Sequence, residues 1–255
     1  MMACVDARSM VFRDGDLVTT SGRPVVDEDG EWLDLARSVP LMFSNEPRPR
    51  SAFSVRVVGG DLAAAVREFG GPHPDRFITV VGTWRSDVIE VSSFSLYAPP
   101  ASVERWTKPP CPPPEGGWPR GPRDVRPNVD FSDLLASGAA VTVAIFWPSR
   151  TQAVIVVAAS DIAAVEAELR PLLGERLCVV PSRWSRAELA AARAPVEARF
   201  DEWPLQSVGE SVDDAGQAQL HVNLVRVTPD VVAWADGVPD GMLVLEASLM
   251  SYRPA

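Results

Sequence analysis

Residues 141–185 read VTVAIFWPSRTQAVIVVAASDIAAVEAELRPLLGERLCVVPSRWS, and this stretch decides the fold. Two apolar runs, 141–147 and 153–159, are split by the turn-like Pro148-Ser149-Arg150-Thr151. A helical stretch follows from Asp161, and a third apolar run spans 177–180. The order is strand, strand, helix, strand. The helix rests on period: Ile162, Val165, Leu169 and Leu172 recur at three- and four-residue steps and share a face, while Glu166, Glu168 and Arg170 point away. Ser160 is placed to cap the first turn, and Asp161 is favoured by the positive end of the helix. Pro171 lacks an amide donor and predicts a kink or an early end before Gly174.

Outward from this stretch the same order returns. Ser185-Arg186-Ala187-Glu188 is a capping box opening a second helix, with Leu189, Ala192, Val196 and Phe200 on its apolar face and a bend at Pro195. A strand near 206–211 turns through Asp213-Asp214-Ala215-Gly216 into 219–225, where Leu220, Val222 and Leu224 alternate with polar residues. Thr228-Pro229-Asp230 starts a further helix, with Val231, Trp234 and Ala235 facing inward, and 242–245 closes as a strand. Two strand-strand-helix-strand units joined by a helix are expected, alike in plan though slight in residue identity.

The order of unit, helix opening with Trp184-Ser185-Arg186-Ala187-Glu188-Leu189, then second unit, resembles the prodomain repeats of secreted proteases of the alpha-lytic type over 141–248. In that family such modules assist the folding of a protease and inhibit it. The resemblance implies a ββαβ repeat; the chain carries no Gly-Asp-Ser-Gly stretch.

The first third reads differently. Turn signals at Ser21-Gly22 and Asp27-Glu28-Asp29-Gly30 predict a hairpin within 17–35. A strand at 52–58 and a helix at 61–69 are followed by strands 77–84 and 88–96 around Arg85-Ser86-Asp87, with Gly82 where a bulge or a close backbone approach would fall. Strands around one helix, with Gly82-Thr83-Trp84 and Ile89-Glu90-Val91, resemble a small OB-type barrel over residues 50–97. That resemblance implies a single-strand binder using Trp84 with Arg56, Arg76 and Arg85.

Between the two lies proline-rich chain, residues 98–128, in which ten of the residues 99–127 are proline. Pro109-Pro110-Cys111-Pro112-Pro113-Pro114 must be extended and outside helix or sheet. It reads first as a semi-rigid linker that lays Trp106 and Trp118 on the neighbouring structure. The sharper reading makes it a polyproline ligand oriented by Arg105, Arg120 and Arg123.

Composition bounds the function. The 255 residues, 46% hydrophobic, suffice for two cores. A net charge of −10 repels phosphate backbones, which makes nucleic acid an unlikely partner. Lys108 is the single lysine among 24 basic residues, a skew that fits a GC-rich genome. Of Cys4, Cys111 and Cys178, odd in number and widely spaced, Cys178 reads as a small apolar filler of a core strand. His73 and His221 have no partner at metal-ligand spacing, and no Gly-x-Ser-x-Gly elbow or phosphate-cradling glycine loop occurs. No metal and no cofactor are implied. No apolar run reaches the length of a membrane span, and no secretory leader is evident, so a cytoplasmic location is expected.

The sequence therefore predicts an α+β protein. A barrel-like OB-type domain over 1–97 and a proline-rich linker over 98–128 precede an α+β domain of two ββαβ units over 129–255. Its expected role is non-enzymatic, a protein-binding or adaptor module. The alternatives are an OB-type nucleic-acid binder and an enzyme with an interdomain site. Arg56, Arg76, Trp84, Arg85, Trp106, Trp118 and Arg120 are the candidate binding residues.

Overall fold

The computed structural model describes residues 7–36, 50–69, 77–97, 106–121, 129–200 and 202–252. In chain order, β1 (Leu17–Asp27), β2 (Gly30–Asp34) and β3 (Ser54–Val58) precede α1 (Leu62–Glu68), β4 (Ile78–Arg85) and β5 (Val88–Leu96). Then come α2 (Ser132–Ser137), β6 (Ala140–Ser149), β7 (Gln152–Ala159), α3 (Ile162–Leu173) and β8 (Leu177–Pro181). The chain continues through α4 (Arg186–Ala198), β9 (Leu205–Val212), β10 (Ala218–Leu224), α5 (Pro229–Ala235), β11 (Leu243–Ala247) and β12 (Met250–Ser251). The protein is α+β, its described strands falling into three sheets.

In the first sheet the long β1 does two jobs. Residues 17–22 pair antiparallel with β4, and residues 23–27 pair antiparallel with β2. β2 continues antiparallel to β3, β3 runs parallel to β5, and β5 is antiparallel to β4. The pairings thus pass β1-β2-β3-β5-β4 and return to β1. Alternation turns Val18, Leu33, Val55, Val57, Ile78, Val80, Ile89 and Trp84 inward, and Leu62 of α1 packs against them. The register shifts between Val81 and Gly82, where the sequence predicts a bulge. Gly82 is required there, because the Glu90 backbone occupies the place of a Cβ. Ser86 and Asp87 both take positive φ, 45° and 67°, the two-residue hairpin turn whose twist suits paired strands.

This core also receives residues from the far end of the chain. Val225 and Leu249 are buried in it, and β12 pairs with β1 through Val18 with Ser251 and Thr19 with Met250. Gln206 on β9 donates to the Leu35 carbonyl at 2.7 Å, and Thr20 donates to the Ser248 carbonyl at 2.9 Å. The sequence reading ended its last pattern at 248 and did not foresee this return.

Beyond the proline tract, β6 and β7 pair antiparallel and β8 joins β7 in parallel after α3. β9 and β10 pair antiparallel, and β11 joins β10 in parallel after α5. The two sheets share one core, in which Val141, Val154, Val156 and Ala158 of the first meet Leu220, Val222 and Leu224 of the second. The capping box at Ser185 and Glu188 forms, and Thr228 caps α5 with Pro229 in its first turn.

Several local expectations need correction. Asp161, not Ser160, caps α3, accepting from the Ala164 amide at 3.0 Å. The buried face is Val165, Leu169 and Leu173, while Leu172 is 66% exposed. The helix runs past Pro171 to Leu173, since the proline lies in the last turn and leaves only the carbonyl of exposed Ala167 without its helical donor. In α4 the chain likewise passes Pro195 and stays helical to Ala198, and Phe200, beyond the helix, is exposed. Among the described residues, no helix is long and apolar enough to cross a membrane.

Candidate docking groove

Residues 106–121 form no helix and no strand, as a run of prolines without amide donors dictates. They are nonetheless held. Thr107 donates its amide to the Trp147 carbonyl at 2.9 Å, and the Trp147 amide donates to Thr107 Oγ1 at 2.6 Å. At the other end Gln152 Nε2 donates to the Trp118 carbonyl at 2.7 Å, and the Gly121 amide donates to the Thr151 carbonyl at 2.8 Å. The β6–β7 hairpin therefore grips both ends of the tract. Gly116 and Gly117, at φ 90° and 85°, turn the chain back between them.

The middle is fixed covalently. Cys111 is disulfide-bonded to Cys178 on β8, with the two Cα atoms 5.8 Å apart. Pro110 packs where Gly216, in the β9–β10 turn, leaves room beside Val180. The reading of Cys178 as an apolar filler is thereby corrected: it is buried as expected, but as half of a bond. The odd count and the separation of 67 residues hid the pairing in the sequence. The signal was the core position of Cys178 together with a second cysteine inside a rigid proline run.

Strap and hairpin enclose an open groove of about 670 Å3 lined by Trp106, Thr107, Lys108, four prolines of the strap, Cys111, Trp118 and Pro148. Trp118 is a wall, 9% exposed and part of the main core. Trp106 is 42% exposed and presents its indole to the groove. Lys108 is the charged residue of the lining. Arg120, exposed just past the groove, gives its carbonyl to the Arg176 guanidinium.

Of the remaining predicted residues, Arg56, Trp84 and Arg85 lie on the first sheet. Arg56 and Arg85 occupy one row of the outer face, each a cross-strand neighbour of Val88. Trp32 continues that row beside Arg56, and the Arg50 and Arg56 guanidiniums stand 3.9 Å and 5.9 Å from its ring. Sequence reading missed Trp32, although an aromatic on the strand facing Arg56 is a visible signal. Carboxylates already face these cations: Arg85 pairs with Glu90 at 3.2 Å, and Arg50 lies near Asp27 and Asp29. Trp84 is 5% exposed inside the core, so no face of its ring is open to a stacking base. Arg76 lies outside the described residues, as does His73.

One contact between chemically active side chains sits elsewhere. Ser211 Oγ and His221 Nε2 are 2.7 Å apart on the polar face of the β9–β10–β11 sheet. Burial pushes the His221 imidazole below its ordinary pKa, against the pull of the Glu246 carboxylate. Gly209, which pairs with His221, faces open space. Among the described residues, no group of three or more His, Cys, Asp and Glu side chains could hold a metal ion.

No protein-family model matches this chain, and a search of curated proteins finds no match either.

Proposed function

We propose that this chain is a protein-binding module whose docking face is the groove between the proline strap and the β6–β7 hairpin. The observation that carries this is a strap tied by the Cys111–Cys178 bond and by hydrogen bonds at both ends, which still leaves Trp106 42% exposed over a groove. A large indole held open in a rigid apolar site is a binding anchor whose ordering cost is already met on folding. The partner that fits is an extended, proline-containing segment: it is already stiff, its rings stack on tryptophan, and one carboxylate on it would meet Lys108.

In this reading the first sheet is an OB-type barrel, supported by its circuit of pairings and by α1 between β3 and β4. The region after the strap is a ββαβ repeat that serves as its scaffold, and the setting is cytoplasmic. Titration with a short blocked peptide of prolines around one glutamate tests the proposal. Trp106 emission should move to shorter wavelength on binding, and Trp106→Ala should weaken binding by about tenfold or more. Equal affinity for the Trp106→Ala protein would sink it.

The Trp32, Arg56 and Arg85 row favours a second reading, a single-stranded nucleic acid lying across the barrel. Glu90, Asp27 and Asp29 oppose it by neutralising the nearby cations, as does the net charge of −10. A gel shift with a single-stranded oligonucleotide decides the point: no shift at low salt removes this reading.

A further inference from the structure

We infer that the Cys111–Cys178 bond is a reversible redox modification site, a latch that a dithiol reductant opens from the groove and that thereby frees the strap. The inference rests on the docking reading for its consequence, loss of the groove, but not for its chemistry.

Three observations carry it. First, among the described residues no backbone group of 108–117 hydrogen-bonds outside that segment. Five of these residues are prolines, which have no amide to donate. The disulfide is thus the specific tie of the strap's middle, alongside the packing of buried Pro109 and of Pro110 near Val180 and Gly216. Second, the two half-cystines differ in exposure. Cys111 is half-buried and lines the open groove, while Cys178 is 1% exposed in the core. Third, β8, which carries Cys178, pairs along its whole length with β7, so its place in the sheet does not depend on the strap. Opening the bond therefore removes a cover rather than a strand.

The chemistry balances as a two-electron exchange. A thiolate of the reductant attacks Cys111 Sγ, forming a mixed disulfide and expelling the Cys178 thiolate, which takes a proton from solvent. The reductant's second thiolate then attacks its own bonded sulfur, releases the Cys111 thiolate and leaves as an intramolecular disulfide. A monothiol fails at the second step, because Cys178 remains beside the mixed disulfide and expels it. In a cytoplasmic setting a bond of this kind is characteristically transient and sensing rather than permanent.

The test uses the full oxidised chain, treated with dithiothreitol or with glutathione at matched thiol concentration, then alkylated with iodoacetamide. Dithiothreitol should label both Cys111 and Cys178, leave far-UV circular dichroism unchanged, and shift the tryptophan emission as the strap between Trp106 and Trp118 loosens. It should also speed glutamyl-endopeptidase cleavage after Glu115 by about tenfold, the mark of local opening. Glutathione should leave both cysteines unlabelled, and Cys111→Ser should be cleaved fast without reductant. The latch is overturned if the reduced, alkylated protein keeps the slow cleavage and the original emission. It is equally overturned if reduction and Cys111→Ser both abolish the circular dichroism, which would make the bond a staple of the whole fold. Peptide titration of the same oxidised sample separates the two proposals: failure to bind with intact redox-dependent cleavage removes the docking reading and leaves the latch.

Discussion

Asp34 illustrates how much depends on single side chains. It is 4% exposed, yet its carboxylate accepts from Arg23 at 2.7 Å, from the Ala36 amide at 3.2 Å and from the Ser51 hydroxyl. Burial alone would raise its pKa, but the Ser51, Arg23 and Ala36 contacts together hold it below the ordinary carboxylate value. A depressed carboxylate contributes stability that is fully present above about pH 4 and is lost as pH falls through the lower folded value. Asp34→Ala should cost about 3 kcal/mol at neutral pH, since it breaks a buried pair. Urea midpoints of the two proteins should converge below pH 4, and a gap that stays constant with pH would contradict this account. In the sequence Asp34 is one acidic residue among 34 Asp and Glu, and nothing marks it. Gly82 was legible because a glycine inside an alternating strand has few reasons to be there, and close backbone approach is one of them.

At the scale of elements, legibility followed period. Strands β6 to β11, α4 with its capping box, and the 78–96 hairpin all carry a repeat of two or of three to four that the chain could satisfy in one way. Caps were less legible, because Ser160 and Asp161 are both good acceptors and adjacent. The amides of Ser160 and Asp161 both donate to the Ala139 carbonyl, and of the two side chains it is the Asp161 carboxylate that accepts from the Ala164 amide. Asp161→Ala should therefore cost about 1 kcal/mol in a denaturation experiment, whereas Ser160→Ala should cost little. The reverse ranking would return the cap to Ser160. The groove was half legible for a related reason. Trp106 and Trp118 stood out in the proline tract while Lys108 read only as a compositional skew, and the meeting of the three depends on a bond whose partners are 67 residues apart, a distance that no local pattern encodes.

For the whole molecule, sequence reading drew a boundary at the proline tract, and the packing crosses it. Leu249 and Val225 complete the core of the first sheet, β12 pairs with β1, and Met10 and Val11 pack on the other core. Composition changes along a chain mark linkers, but they carry no trace of a terminal strand that travels back past one. Leu249 tests the consequence, since it is 0% exposed in a core otherwise built of residues from 18–89 and Val225. Leu249→Ala should destabilise by about 3 kcal/mol, the cost of a leucine-sized cavity. If the two cores unfold as one unit, the transitions read by near-UV circular dichroism and by amide exchange on β10 should shift together. Exchange on β10 unaffected by Leu249→Ala would mean that the cores unfold independently, with β12 merely resting on the first sheet.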